Sequence, residues 1–193
     1  HVPSAHARTY LAALPDRLAS FPECRIDAAL VRLACLRASL RSELLDEMRE
    51  SHDLARAQWI PEVCGRAVFA AIAEGLDGGP TAYELFVRDT IRARLTSGFV
   101  RFMLPPPDSA RTCDVLPRAW SMLHRGTSLV VTEARRGHAS IVLQHPPALF
   151  DALGHTDAIQ TLHAALEHCG TRVVDVEVTA IERGRMQAEI HWG

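Results

Sequence analysis

The sequence predicts an α+β fold: N-terminal helices packed on a four-stranded, largely antiparallel sheet made of two hairpins joined by a helix. Three observations lead there. Apolar residues recur at helical spacing through the first hundred positions. The stretches "VVTEARRGHASIVLQHP" and "VEVTAIERGRMQAEIHWG" each read as strand, Arg-Gly turn, strand. Between the helical part and these hairpins lie three consecutive prolines, Pro105 to Pro107, which cannot continue a helix.

The elements follow in order. Ser4 to Ser20 reads as helix, interrupted by Pro15, and "FPEC" then breaks the chain. Asp27 is placed to cap a helix in which Leu30, Leu33, Leu36, Leu40 and Leu44 recur at three and four residues. Arg32, Arg37, Arg41, Glu43 and Glu47 supply its polar face. This is expected to be a core helix, with a coiled-coil partner surface as the alternative. "QWIPEVCGRAVFAAIAEGLDGG" begins the next helix, with Pro61 in its first turn and Gly78-Gly79 at its end. A fourth helix, Thr81 to Thr96, follows Pro80. Phe99, Phe102 and Met103 form a short apolar segment before the break at Pro105 to Asp108.

Beyond the break, Ser109 to Arg125 reads as a short helix stopped by Gly126. In the first hairpin Leu129 and Val131, then Ala139, Ile141 and Leu143, occupy one face. A helix capped by Thr156 or Asp157 carries Ile159, Leu162, Leu166 and Cys169, and Gly170 closes it. The second hairpin places Val174, Val176 and Val178, then Met186, Ala188, Ile190 and Trp192, on one face. Trp192 is therefore expected to be buried. An isolated two-stranded ribbon is marginal in water, so the two hairpins are expected to share one sheet. The Arg-Gly pairs serve the turns, where glycine permits positive φ. An anion site built from Arg135, Arg136 and Arg183 is the alternative. Residues 1–193 are expected to form a single domain, with a helical layer over 1–104 and the helix-hairpin-helix-hairpin layer over 109–193.

Composition narrows the function classes. The formal net charge is -2, which gives no electrostatic reason to expect a nucleic-acid partner or an acidic membrane. All 21 basic residues are arginine. No apolar run is long enough for a membrane span, and no export signal opens the chain. The five cysteines are scattered without a C-x-x-C, which argues against a disulfide framework or a zinc knuckle and for reduced thiols in a cytoplasm.

Chemical motifs are sparse. His155, His163 and His168 cluster in sequence, but His163 and His168 are five apart and do not share a helical face. They are expected to be exposed helix histidines, so no metal site is predicted. His138 falls in a turn, and His191 points opposite Ile190 and Trp192. Gly-x-Ser-x-Gly, phosphate-loop and His-Glu-x-x-His signatures are absent, so no catalytic residue is nominated. The aromatics Trp59, Phe69, Phe86, Phe99, Phe102 and Trp120 fall in the helical segments, as core or as the wall of an apolar pocket.

The stretches "FPECRIDAALVRLACLR", "QWIPEVCGRAVFAAIAEGL", "LPRAWSMLHRGTSLVVTEARRGHASIVLQHPP" and "HAALEHCGTRVVDVEVTAIERGRMQAEIHW" carry a resemblance. Over residues 20–193 the chain resembles an uncharacterised family of paralogous proteins of similar length, abundant in fruiting-body (myxobacterial) soil bacteria. The order of its pieces is similar to that of heme-nitric-oxide sensor domains, 4-vinyl-reductase-type sensor domains and the vesicle-tethering TRAPP subunits. The resemblance implies a fold and a binding role, not a reaction. The heme sensors hold porphyrin carboxylates with Tyr-x-Ser-x-Arg on the first hairpin; here the segment reads "HASIVLQH". His124 lies a few residues before the strand, and Cys169 stands alone where the vinyl-reductase type has a cysteine-rich metal site. No cofactor is therefore expected. The functional expectation is a non-enzymatic cytoplasmic sensory or adaptor domain that binds a small apolar ligand or a protein partner, itself included as a homodimer. Its site is expected between helices and sheet at Phe99, Phe102, Trp120 and His124. The rival expectations are an enzyme with a site between the two layers and a structural homo-oligomer.

Overall fold

The computed structural model describes residues 4–39, 46, 53–97, 112–171 and 173–193, with the side chains of Thr112, Val173 and Val174 outside that description. Leu40, Leu44, Phe99, Phe102, Met103 and the proline run lie outside the described residues.

Helix α1 (Ala5–Ala12) starts where the Ser4 side chain accepts a hydrogen bond from the Ala7 amide, satisfying one of the amides that a helix start leaves unpaired. A 3₁₀ turn at Arg17–Ala19 leads to β1 (Arg25–Asp27). Asp27 then caps α2 (Ala28–Arg37) by accepting from Ala29 N, as the sequence predicts. The described leucines of the repeat do not share one buried face. Leu30, Val31, Ala34 and Cys35 are buried, Leu33 is half-buried and Leu36 is 77% exposed. Small residues Ala28, Ala34 and Cys35 let α2 approach its neighbours closely, and that approach selects the face.

After β2 (Trp59–Pro61) comes α3 (Glu62–Gly75), buried at each position from Glu62 to Ile72. A helix that is apolar nearly all round belongs at the centre of the molecule. Helix α4 (Gly79–Leu95) follows, with Pro80 in its first turn. Helix α5 (Thr112–Leu123) ends two residues earlier than expected, because His124–Arg125 forms strand β3 and pairs with β1 through Ile26↔His124 and Arg25↔Arg125. Gly126 makes this possible: its φ is +76°, and a Cβ there would lie 2.5 Å from the Glu23 carbonyl. The small sheet has the order β2-β1-β3.

The hairpins are β4 (Ser128–Arg135) with β5 (His138–Gln144), and β6 (Val173–Glu182) with β7 (Arg185–Trp192). They join through β5 and β7 into the one four-stranded antiparallel sheet predicted from sequence, and its order, which the sequence left open, is β4-β5-β7-β6. The register Ala139↔Ile190, Ile141↔Ala188 and Leu143↔Met186 puts the alternating apolar residues on one buried face. The connecting helix α6 (Ala152–His168) begins a turn earlier than predicted, with Asp151 as its cap through Gly154 N. Asp157, expected at the cap, is inside the helix and buried.

Helix α5 lies against β4 and α6 against β6; α4 packs along α6, α1 along α3, and α2 against both α3 and α4. One set of buried side chains runs from Ala7 through Phe69, Trp120 and Leu162 to Ile190. Trp192 is half-buried rather than buried, since it sits at the last pairing of β7, opposite Val173.

Candidate functional site

The central helix α3 carries two charged residues one turn apart, Glu62 and Arg66, on a face with no access to water. Glu62 is 0% exposed and Arg66 5%. Buried charges demand partners; β3 and α6 supply them directly, and tyrosines on α4 and α1 add hydrogen bonds nearby. On β3, His124 Nδ1 lies 3.0 Å from Glu62 Oε2. Arg66 Nε is 3.2 Å from Glu62 Oε1, and Arg66 Nη1 is 2.5 Å from Asp157 Oδ2 on α6. Tyr83 on α4 donates to Asp157 Oδ1 at 2.6 Å. Tyr10 on α1 donates to the Leu149 carbonyl at 2.9 Å. The Arg66 guanidinium also sits 5.3 Å from the ring centres of Phe69 and Phe150, the distance of a cation–π contact.

The site tunes its own titrations. Burial opposes the ionisation of Glu62, but His124 and Arg66 together hold its carboxyl below the usual range. Burial pushes Asp157 up to about 6, against the pull of Arg66 and the Tyr83 hydroxyl. Burial works against the Arg66 charge, and Asp157 and Glu62 outweigh it and raise the guanidinium pKa. Arg66 is thus a fixed cation between two carboxylates of opposite tendency.

Trp120 and His124, both nominated from sequence, come together here. Their rings stack at 4.1 Å with planes 20° apart, and Phe150 meets the indole edge-on at 6.1 Å. Trp120 Nε1 donates to Thr127 Oγ1 at 3.0 Å, tying the stack to the loop before β4. Both rings are buried. Phe99 and Phe102, the other two nominated residues, lie outside the described residues.

Two further histidine groups stand apart from this network. His145, at the end of β5, and His155, on α6, approach with Nε2 atoms 3.3 Å apart. His155 is buried, contrary to the expected exposed helix histidine, because the early start of α6 turns it toward Phe150 and His145. His163 is half-buried, and burial with nearby Arg88 lowers its pKa to about 4. On the outer face of the sheet, His138 Nε2 and Ser140 Oγ both contact Glu189 Oε2, at 2.6 and 2.8 Å. This is not a nucleophile triad, because the hydroxyl donates to the carboxylate and not to the imidazole. Among the described residues, no three His, Cys, Asp or Glu side chains converge on a metal position. None of the five cysteines is in a disulfide.

Sequence reasoning missed Glu62, Arg66, Tyr83, Asp157, His145 and His155. A signal existed for the first two: a glutamate and an arginine four apart inside "PEVCGRAVFAAIA" fall on a helix with no polar face to hold them. Nothing in the spacing shows that Asp157, more than ninety residues away, answers them.

No protein-family model matches the chain, and no curated protein matches it in sequence. Solved structures do match in shape. The Fe(II) unliganded H-NOX protein from K. algicida aligns with a TM-score of 0.58 at 6% identity, over 87% of this chain and 97% of that one. Its A71G mutant aligns with a TM-score of 0.53 at 7% identity, over 87% and 96%. At such identities the likeness concerns the fold: helices, hairpin, helix, hairpin in the H-NOX arrangement.

Proposed function

We propose that this chain is a non-enzymatic sensory domain that uses an H-NOX-like fold to respond to a small ligand at the Trp120–His124 stack. The observation that carries this reading is the position of the stack. It is buried where α5, the small sheet and the loop before β4 meet, and Glu62, Arg66 and Asp157 link it to α6. A small apolar molecule that parts the two rings must also shift His124 from Glu62. That disturbance passes through contacts between α3 and α6, which is the kind of coupled displacement a sensor needs. A hydrolytic or transfer enzyme is disfavoured by the same geometry, since the charged groups of the network are buried and face one another.

The neighbours in shape are iron proteins, and the residues here do not fit a heme. His124 is on a strand, its Nδ1 is taken by Glu62 and one ring face is covered by the Trp120 indole. His145 and His155 direct Nε2 at each other. The segment in the place of Tyr-x-Ser-x-Arg reads HASIVLQH and supplies Ala139, Ile141 and Leu143 to the core, so it offers porphyrin carboxylates neither the tyrosine nor the arginine.

The test is tryptophan fluorescence of a Trp59→Phe/Trp192→Phe variant, so that Trp120 reports alone, titrated with indole, medium-chain fatty acids and anilinonaphthalene sulfonate. A saturable change that disappears in His124→Ala supports the reading. A flat response to all three classes, with native mass spectra showing the bare chain mass, refutes it.

A further inference from the structure

We propose that His145 and His155 form a two-histidine site for a divalent transition metal such as Zn²⁺ or Co²⁺, with the remaining coordination positions open to water or to a small oxygen-donor ligand. The inference stands on the geometry of this pair and does not depend on the sensory reading of Trp120 and His124.

The two Nε2 atoms are 3.3 Å apart. Tetrahedral zinc with Zn–N bonds of about 2.0–2.1 Å holds its nitrogen ligands roughly 3.3 Å from one another. The spacing therefore suits a shared metal as well as a shared proton. The tautomer is set in the same sense. His145 Nδ1 lies 2.9 Å from the Pro146 carbonyl, which can only accept, so Nδ1 carries the hydrogen and Nε2 presents a lone pair. A backbone carbonyl on the far nitrogen is the usual second partner of a metal-binding histidine. Burial works against the charged form of both rings, and the neighbouring ring adds to the effect on His155. Phe150, 4.8 Å from the His145 ring and 6.3 Å from the His155 ring, gives the pair an apolar wall.

His145, but not His155, borders a pocket at the surface. A surface pocket of about 510 Å³ is lined by His145 together with Thr127, Ser128, Gln144 and Arg185. No third His, Cys, Asp or Glu side chain joins the pair among the described residues. The protein then contributes two ligands, fewer than a structural zinc site. On a four-coordinate ion two protein ligands leave two positions for donors from outside the chain. Imidazole nitrogens favour Zn²⁺, Cu²⁺, Ni²⁺ and Co²⁺ over Mg²⁺ or Ca²⁺.

The experiment is calorimetric titration of the full chain with Zn²⁺ and Co²⁺, set beside His145→Ala, His155→Ala and, as a surface control, His138→Ala. One ion per chain is expected, lost in the first two variants and kept in the third, with no binding of Mg²⁺. Because a core variant can lose its fold, the wild-type imidazole ¹⁵N signals provide the second readout. Both His145 and His155 Nε2 resonances should shift on adding Zn²⁺. Absence of binding to the wild type overturns the proposal. So does binding that survives both alanine substitutions in folded protein, or Zn²⁺ shifts confined to His138 and His191.

Discussion

Glu62 has no solvent exposure and holds two partners at once, His124 and Arg66. Replacing it by glutamine keeps the volume but removes the charge that balances Arg66. Breaking one member out of a buried ion group costs about 3–5 kcal/mol, so Glu62→Gln is expected to lower the unfolding free energy by that order in urea titration. Asp157 behaves differently. Its folded pKa is about 6 against an ordinary 3.8, so between those values the folded state holds a proton that the unfolded chain has released. By linkage the contribution of this group to stability falls as pH rises from 4 to 6 and is level above about 7. Glu62, with its depressed pKa, acts in the opposite sense, and its contribution is lost as pH falls through its folded value. Measured from pH 4.5 to 7.5, the stability difference between wild type and Asp157→Asn should therefore shift toward the wild type on the acid side. An identical pH slope in the two proteins would remove Asp157 as the raised carboxyl.

Elements formed by alternation were legible from sequence. Ala139, Ile141 and Leu143 against Met186, Ala188 and Ile190 define a face whichever way the sheet is drawn, and the structure pairs them directly. Elements decided by a distant partner were not. His124–Arg125 reads as the end of a helix until β1 is available to pair with it. Asp157 reads as a cap until Arg66 is placed opposite it. The leucine repeat has helical period, but among its described members only Leu30 is buried, since the buried face of α2 turns toward Val31, Ala34 and Cys35. Leu30→Ala should then cost about 2–5 kcal/mol as a core truncation, while Leu36→Ser should change stability by less than about 0.5 kcal/mol. Equal losses at both positions would restore the leucine stripe as the core face. At the other end of the chain, Trp192 is half-buried and its amide donates to the Gly137 carbonyl at 3.0 Å. Deleting residues 191–193 is expected to cost about 2 kcal/mol, roughly half the penalty for a fully buried tryptophan, read as a lower melting temperature. An unchanged melt would mean that the end of β7 contributes no stability.

At the scale of the molecule, the sheet is covered by α5 and α6, and the N-terminal helices pack behind them on the central helix α3. The ion network crosses those layers, joining α3, α4, α6 and β3. We propose on these grounds that residues 1–193 fold as one cooperative unit. A fragment of residues 108–193 would expose the α6 surface that carries Asp157 and should be molten or aggregate; a soluble fragment with its own sharp transition would divide the chain in two. We propose that this chain, with its H-NOX-like fold, binds no heme, because the His124 ring is engaged by Glu62 and Trp120. The most direct measurement is the absorption spectrum of the protein produced with 5-aminolevulinate and iron in excess. The account predicts a spectrum without a Soret band. A stoichiometric Soret band that is lost in His124→Ala would contradict it.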